Sequence, residues 1–315
     1  MSPKENRTAV IALGGNALSP PGERATIADQ FRHTRASLAS IVDLAIEGWK
    51  LCIVHGNGPQ VGDELVRNEV ARAEVEPLPL GVLVASTAGW IGYMIQQSLE
   101  NALRRAGSKR DVVSLITQVE VNPDDPAMSS PTKFIGHDLP EASARALKAD
   151  GQSVKEVEGR WRRVVGSPSP TAIHEIGVIR LLVERGTVVV ACGGGGVPVY
   201  RDGKLGLEGL DAVVDKDLAA AVLARGLGAE LFMILTNVDA VYSGYGTDRQ
   251  QSFAKLTLAD AERLDAAGAF GEGSMAPKVR AAVDYVRHTK GRAIIADLAR
   301  GRDAVRGAAG TTILP

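Results

Sequence analysis

The sequence predicts an α/β fold built around a parallel sheet, and three observations carry that expectation. Short β-branched apolar runs alternate with helical patterns, the joins between them are glycine-rich, and 35 glycines stand against only 5 Phe, 5 Tyr and 3 Trp. Hydrophobic residues make up 45% and charged residues 23% of the 315 positions, a globular composition that excludes disorder as a description of the whole chain.

Taken in order, Thr8 to Leu13 reads as the first strand and ends at Gly14-Gly15-Asn16. Leu38, Ile41, Val42 and Ala45 recur at helical spacing and stop at Gly48, after which Leu51 to Val54 reads as a buried strand running into His55-Gly56-Asn57-Gly58-Pro59. Asp111 to Val121 reads as one strand, and Thr187 to Ala191 as another that opens onto Gly193-Gly194-Gly195-Gly196. Leu231 to Leu235 is a further strand, with weaker ones at Ala293 to Ala296 and Thr311 to Leu314. Between about 122 and 170, prolines and charges replace apolar periodicity, so this stretch is expected to protrude as an insertion or lid.

Several function classes are excluded at this level. With 36 basic and 37 acidic side chains the formal charge is −1, too even for a nucleic-acid surface. No run approaches the ~20 apolar residues of a membrane span, and the first residues lack the apolar core of a signal peptide, so a cytoplasmic protein is expected. Cys52 and Cys192 lie far apart and signal neither a disulfide framework nor a metal site, and the 5 histidines show no metal-binding spacing. Gly56-Asn57-Gly58-Pro59-Gln60-Val61-Gly62 is one residue too long for a dinucleotide fingerprint, and neither a P-loop nor a G-x-S-x-G elbow occurs.

What remains points to anion chemistry. Glycine turns at Gly14, Gly56 and Gly193, each directly after a strand, would share the carboxyl edge of a parallel sheet, where backbone amides approach a ligand closely. Lys216 follows the acidic cap Asp215 at the start of an alanine-rich helix. Lys278 follows Ser274 and Pro277 at the start of another. A helix start is the wrong end for a cation unless an anion joins it, so the two lysines suit a migrating phosphoryl group. Lys133, in the insertion, would bring charge from above if that segment closes over the crevice. His55 is read as a hydrogen-bonded structural residue, and Trp161, Arg162 and Arg163 as a half-buried aromatic with solvated arginines.

Val10-Ile-Ala-Leu-Gly-Gly-Asn-Ala-Leu18, His55-Gly-Asn-Gly-Pro-Gln-Val-Gly62, Ile91-Gly-Tyr-Met-Ile-Gln-Gln97, Pro131-Thr-Lys133, Gly193-Gly-Gly-Gly196, Asp215-Lys216-Asp217, Leu235-Thr-Asn-Val-Asp-Ala-Val-Tyr242 and Gly273-Ser-Met-Ala-Pro-Lys278 together resemble the carbamate kinases of the amino-acid-kinase superfamily, collinearly from about Val10 to Thr311. The resemblance implies a three-layer αβα sandwich with a mainly parallel sheet and two lobes. The carbamoyl and phosphoryl lobe would run to about residue 228 and the nucleotide lobe from about 229, usually in a homodimer. It also implies reversible phosphoryl transfer between carbamoyl phosphate and ADP, with Mg²⁺ on the nucleotide and no dedicated metal motif. By that likeness Gly14, Gly15, Asn16, Gly56, Asn57 and Gly58 surround the phosphoryl and carbamate groups. Lys133, Lys216 and Lys278 stabilise the charge, Asp215 orients the lysines, and Asn237, Tyr242, Met275 and Pro277 line the ADP site. The chain departs from the family's pattern at Gly81, Ala88, Ser130 and Phe134, which bears on the substrate. A sister kinase acting on a small carboxylate, or a nucleotide-binding paralogue without turnover, are the alternatives.

Overall fold

In a computed structural model, which describes residues 7–14, 26–157, 159–271 and 275–315, the centre is one eight-stranded sheet. Its order is Lys255–Thr257, Thr311–Leu314, Arg292–Asp297, Leu231–Thr236, Thr8–Leu13, Lys50–His55, Val188–Val190, Val112–Ser114. From Arg292–Asp297 to Val112–Ser114 every pair is parallel. Thr311–Leu314 runs antiparallel to Arg292–Asp297 and carries Lys255–Thr257 parallel to itself. The mainly parallel sheet is therefore borne out.

Strand alternation explains why the sheet is covered on both sides. Val10, Ala12, Cys52, Val54, Phe232 and Ile234 face a core closed by helices Ile176–Glu184, Lys216–Leu227, Leu258–Ala266 and Met275–Thr289. Ala9, Ile11, Leu13, Leu51, Ile53 and Met233 face the other core, closed by Ala39–Ile46, Leu80–Arg105 and Gly301–Val305. The result is three layers. Because Thr8–Leu13 has Lys50–His55 on one side and Leu231–Thr236 on the other, the strand order reverses there, and a ligand crevice belongs at the carboxyl ends of these strands.

The stretch read as a single strand from Asp111 to Val121 is two. Val112–Ser114 ends the central sheet, and Gln118–Val121 joins a separate four-stranded sheet with Gly206–Gly209, Val197–Asp202 and Pro170–Ile173. Thr117 makes the crossing: its hydroxyl bonds the Leu115 carbonyl and accepts from Cys192 N, and its own carbonyl accepts from Val197 N. The described part of the helix carrying Lys278 starts at Met275, so Pro277 is not its first residue, and Ser274 lies outside the described residues.

The insertion folds on itself. Lys133–Leu139, Arg160–Val165 and Val154–Val157 form a three-stranded antiparallel sheet, backed by helix Glu141–Ala149. Ile135 and Val165 pack onto Val61, Leu83 and Val84 in a small core of their own. At the crossing, Gly62 of helix Gly58–Ala71 meets Gly136, which has φ +70°; a Cβ on Gly62 would sit 2.0 Å from the Gly136 Cα. Arg163 is buried and ion-paired to Glu69 of the same helix, not solvated as the sequence suggested. Gly62→Ala should accordingly destabilise the protein by about 1–3 kcal/mol, the scale of overpacking, and expose the insertion to protease. Unchanged urea unfolding and unchanged cleavage would show that the crossing is not a fixed joint.

Candidate active site

The site is built from two helix starts and one insertion strand. Asp215 is the N-cap of Lys216–Leu227: its Oδ1 accepts from Asp217 N at 2.8 Å and Leu218 N at 3.3 Å, satisfying amides that the helix leaves open. Its other oxygen, Oδ2, accepts from Lys133 Nζ at 2.5 Å. One carboxylate thus starts the helix and fastens the first residue of the insertion strand Lys133–Leu139.

A second carboxylate joins the two remaining lysines. Asp217 Oδ1 lies 2.6 Å from Lys216 Nζ, and its Oδ2 lies 3.5 Å from Lys278 Nζ. Helices Lys216–Leu227 and Met275–Thr289 pack along one another, which brings their first turns, and so their lysines, together. Asp217 side-chain exposure is 3%, against 12% for Lys216 and 16% for Lys278, so the carboxylate is the floor and the ammonium groups lie above it. Sequence reasoning quoted Asp217 but gave it no role. The Asp-Lys-Asp spacing is its only trace in the chain, since its second partner comes from another helix.

The electrostatics favour an incoming anion. Burial pushes the Asp215 carboxyl up, but the Lys133 and Lys216 ammonium groups beside it outweigh that and hold it well below its ordinary value. Burial pushes the Lys216 ammonium down; Asp217 opposes this and Lys278 adds to it. Three cations and two carboxylates leave a net positive charge at two helix starts whose dipoles add to it.

The glycine turns lie where the sheet topology demands. Gly14 ends Thr8–Leu13 and its amide donates to Leu235 O at 2.9 Å, while Gly56 follows Lys50–His55 and Gly58 opens the helix Gly58–Ala71. Gly15 and Asn16 lie outside the described residues. Asn57 is buried, and its amide nitrogen donates to Thr87 Oγ1 at 2.9 Å, tying the turn to the long helix Leu80–Arg105. The run Gly193–Gly196 is also held by close packing. A Cβ on Gly194 would sit 2.2 Å from Asn57 Nδ2, on Gly195 2.2 Å from Val214 O, and on Gly196 2.2 Å from Val119 Cγ2. All three have positive φ. These glycines are needed so that the Asn57 turn and the Val214-Asp215 segment close onto the sheet edge.

Asn237 follows Leu231–Thr236 at the same carboxyl edge, and Met275 and Pro277 share the first turns of the Lys278 helix. Tyr242 donates to Asp239 Oδ1 at 2.8 Å and meets the Tyr245 ring edge-on at 5.6 Å. Among the described residues no hydrogen bond, ion pair or ring contact joins Asn237 or Tyr242 to Met275 or Pro277. Ala88 is buried beside Gly193, where an added Cβ would lie 3.0 Å from the Ala88 Cβ, and Gly81 N donates to Asp211 Oδ1 at 3.2 Å.

Residues 7–297 match the amino acid kinase family. The chain belongs to that family. Among amino acid kinases, the carbamate kinase of Pyrococcus furiosus is 42% identical over 314 residues, covering 98% of this chain and 99% of its own. The carbamate kinase-like protein YqeA of Escherichia coli K12 is 41% identical over 313 residues, covering 98% and 99%. The solved structure of Giardia lamblia carbamate kinase bound to AMP-PNP is 36% identical, with a TM-score of 0.91 over 98% of this chain and 99% of that one. The αβα architecture is thus that of an amino acid kinase along nearly the whole chain. Among the described residues no helix is long and apolar enough to cross a membrane.

Proposed function

We propose that the protein is a carbamate kinase, moving a phosphoryl group reversibly between carbamoyl phosphate and ADP to give carbamate and ATP. The observation that carries this reading is the meeting of Lys216 and Lys278, from two different helix starts, on the single carboxylate of Asp217. In the ATP-forming direction an ADP β-phosphate oxygen forms the new bond to phosphorus while the bond from phosphorus to the carbamate oxygen breaks, through a loose in-line transition state. Both nucleophiles are already anionic near neutral pH, so no general base is needed. The chain's contribution is positioning and charge: Lys216 and Lys278 face the migrating group, and Lys133 approaches from the insertion.

Mg²⁺ would enter with the nucleotide and supply charge neutralisation for its phosphates, with no dedicated protein carboxylate required. That fits the donor set, since Asp215 and Asp217 are both held by ammonium groups. Gly14, Gly56, Asn57 and Gly58 are assigned to the phosphoryl and carbamate side, with Gly15 and Asn16 beside them in sequence. Asn237, Tyr242, Met275 and Pro277 are assigned to ADP. The same reading divides the chain near residue 228 into a carbamoyl lobe and a nucleotide lobe. It also proposes a cytoplasmic homodimer acting in arginine metabolism, whose mass light scattering would check.

The deciding experiment measures ATP formation from ADP and carbamoyl phosphate by the purified protein. Absence of turnover there, with ATP consumed on a small carboxylic acid, would establish the second reading instead. Gly81 and Ala88, where the resemblance implies an acidic and an amide side chain, are the positions that bear on that alternative; Ala88 lies beside the Gly193 turn and Gly81 N meets Asp211. Lys133→Ala should raise the KM for carbamoyl phosphate by about tenfold or more, the loss of one charge-assisted contact, with a much smaller change for ADP. Equal retention of both constants would remove the insertion from the mechanism.

A further inference from the structure

The amino edge of the central sheet, opposite the glycine turns, holds a cavity of about 470 Å³ where the chain enters three neighbouring strands. Lys50 opens Lys50–His55, Asp111 precedes Val112–Ser114, and Thr187 precedes Val188–Val190. Lys50, Lys109, Arg110 and Arg185 line it with Asp111 as the sole carboxylate, a local excess of positive charge in a chain whose net charge is −1. Among the described residues no ion pair or side-chain hydrogen bond engages Lys109, Arg185 or the Asp111 carboxylate.

Two donors in this wall are buried without an acceptor. Arg110 is held in place through Nε, which donates to Gly186 O at 2.7 Å, and through one terminal nitrogen, which donates to Trp49 O at 2.6 Å and Ala45 O at 3.2 Å. Its other terminal nitrogen is buried and unpartnered. Trp49 is 2% exposed, and its indole N–H is likewise without a partner. Buried donors are normally satisfied. A guanidinium fixed by backbone carbonyls and the unpaired cations Lys109 and Arg185 around one pocket of ligand size share a single complement, an oxygen anion.

We propose that this cavity binds a small oxyanion, phosphate- or carboxylate-bearing, held by Lys109 and Arg185 with the fixed positive charge of Arg110 behind them. It is separate from the lysines of the candidate active site, which lie at the other end of the same strands.

Trp90→Phe with Trp161→Phe leaves Trp49 as the only one of the 3 tryptophans, a reporter in the cavity wall. Inorganic phosphate and citrate, titrated separately at constant ionic strength, should change its emission saturably in at least one case; phosphate alone or citrate alone would assign the chemistry. Adding Lys109→Ala and Arg185→Ala should weaken the apparent affinity by about tenfold or more and leave turnover without added anion unchanged. Adding Lys216→Ala should leave the response in place. In the chain with all its tryptophans, the same anions should raise the melting temperature, and Lys109→Ala/Arg185→Ala should abolish part of that rise. No saturable change with either anion overturns the proposal. So does a response undiminished by Lys109→Ala/Arg185→Ala, or one lost in Lys216→Ala.

Discussion

Lys216→Ala should lower turnover by about 10²-fold or more, comparable to losing one preorganised donor at a developing charge, while the protein stays folded. The ammonium sits at the first position of its helix, where the dipole disfavours a cation, and burial and Lys278 both push it toward neutrality. Such a position contributes little to stability and a great deal to binding an anion. The fold tolerates its loss because Asp217 keeps Lys278, 3.5 Å away, so the variant does not strand a buried carboxylate, the change that makes broken buried pairs costly. Circular dichroism and initial-rate ATP formation check both halves. A folded variant turning over near the parental rate would show that the charge at this position does not act on the migrating phosphoryl group.

Lys278→Ala is the informative companion, because Asp217 would then keep Lys216 at 2.6 Å while the second helix start contributes no charge. If both lysines act on one phosphoryl group, the double variant should fall short of the product of the two single losses, as groups acting as a unit do.

How much of this was legible in the chain depends on how local the cause is. Thr8–Leu13 and Lys50–His55 announce themselves because a β-branched apolar run buried on both faces needs no partner to be recognised. The start of Lys216–Leu227 is equally local, since Asp215 bonds amides only two and three residues ahead. Asp111 to Val121 reads as one strand because both halves are apolar, and the break at Thr117 is made by Cys192 and Val197, far away in sequence. Asp217 was overlooked for the same reason: a helix start shows that a lysine is misplaced, but not that another helix starts beside it. Gly193–Gly196 reads as a ligand loop, and only the neighbouring Asn57 and Val214 show that close packing also excludes side chains there. In the insertion, the polar texture concealed Arg163, whose burial against Glu69 depends on a glycine crossing formed by residues about seventy apart.

Lowering the pH from about 7.5 to about 5 should cost the folded state about 2 kcal/mol through His55 alone. The ring closes the strand Lys50–His55, is 1% exposed, and has Nδ1 3.0 Å from the Gly56 carbonyl oxygen. Burial pushes its pKa down from 6.5 to about 4, against the smaller opposing pull of the Gly56 and Ala88 backbone. The folded chain therefore keeps this imidazole neutral through a range in which the unfolded chain protonates it. Between those two values the unfolded state binds the extra proton, so stability rises with pH: the contribution is complete above 6.5 and lost as the pH falls toward 4. Urea unfolding at the two pH values should show the loss in the parent and a difference smaller by about 2 kcal/mol in His55→Phe, whatever that substitution does to stability at neutral pH. An unchanged difference would mean another group titrates there. The same neutrality removes His55 as a proton acceptor or donor of matched pKa, so the turnover profile near neutral pH should carry no limb that His55→Phe abolishes.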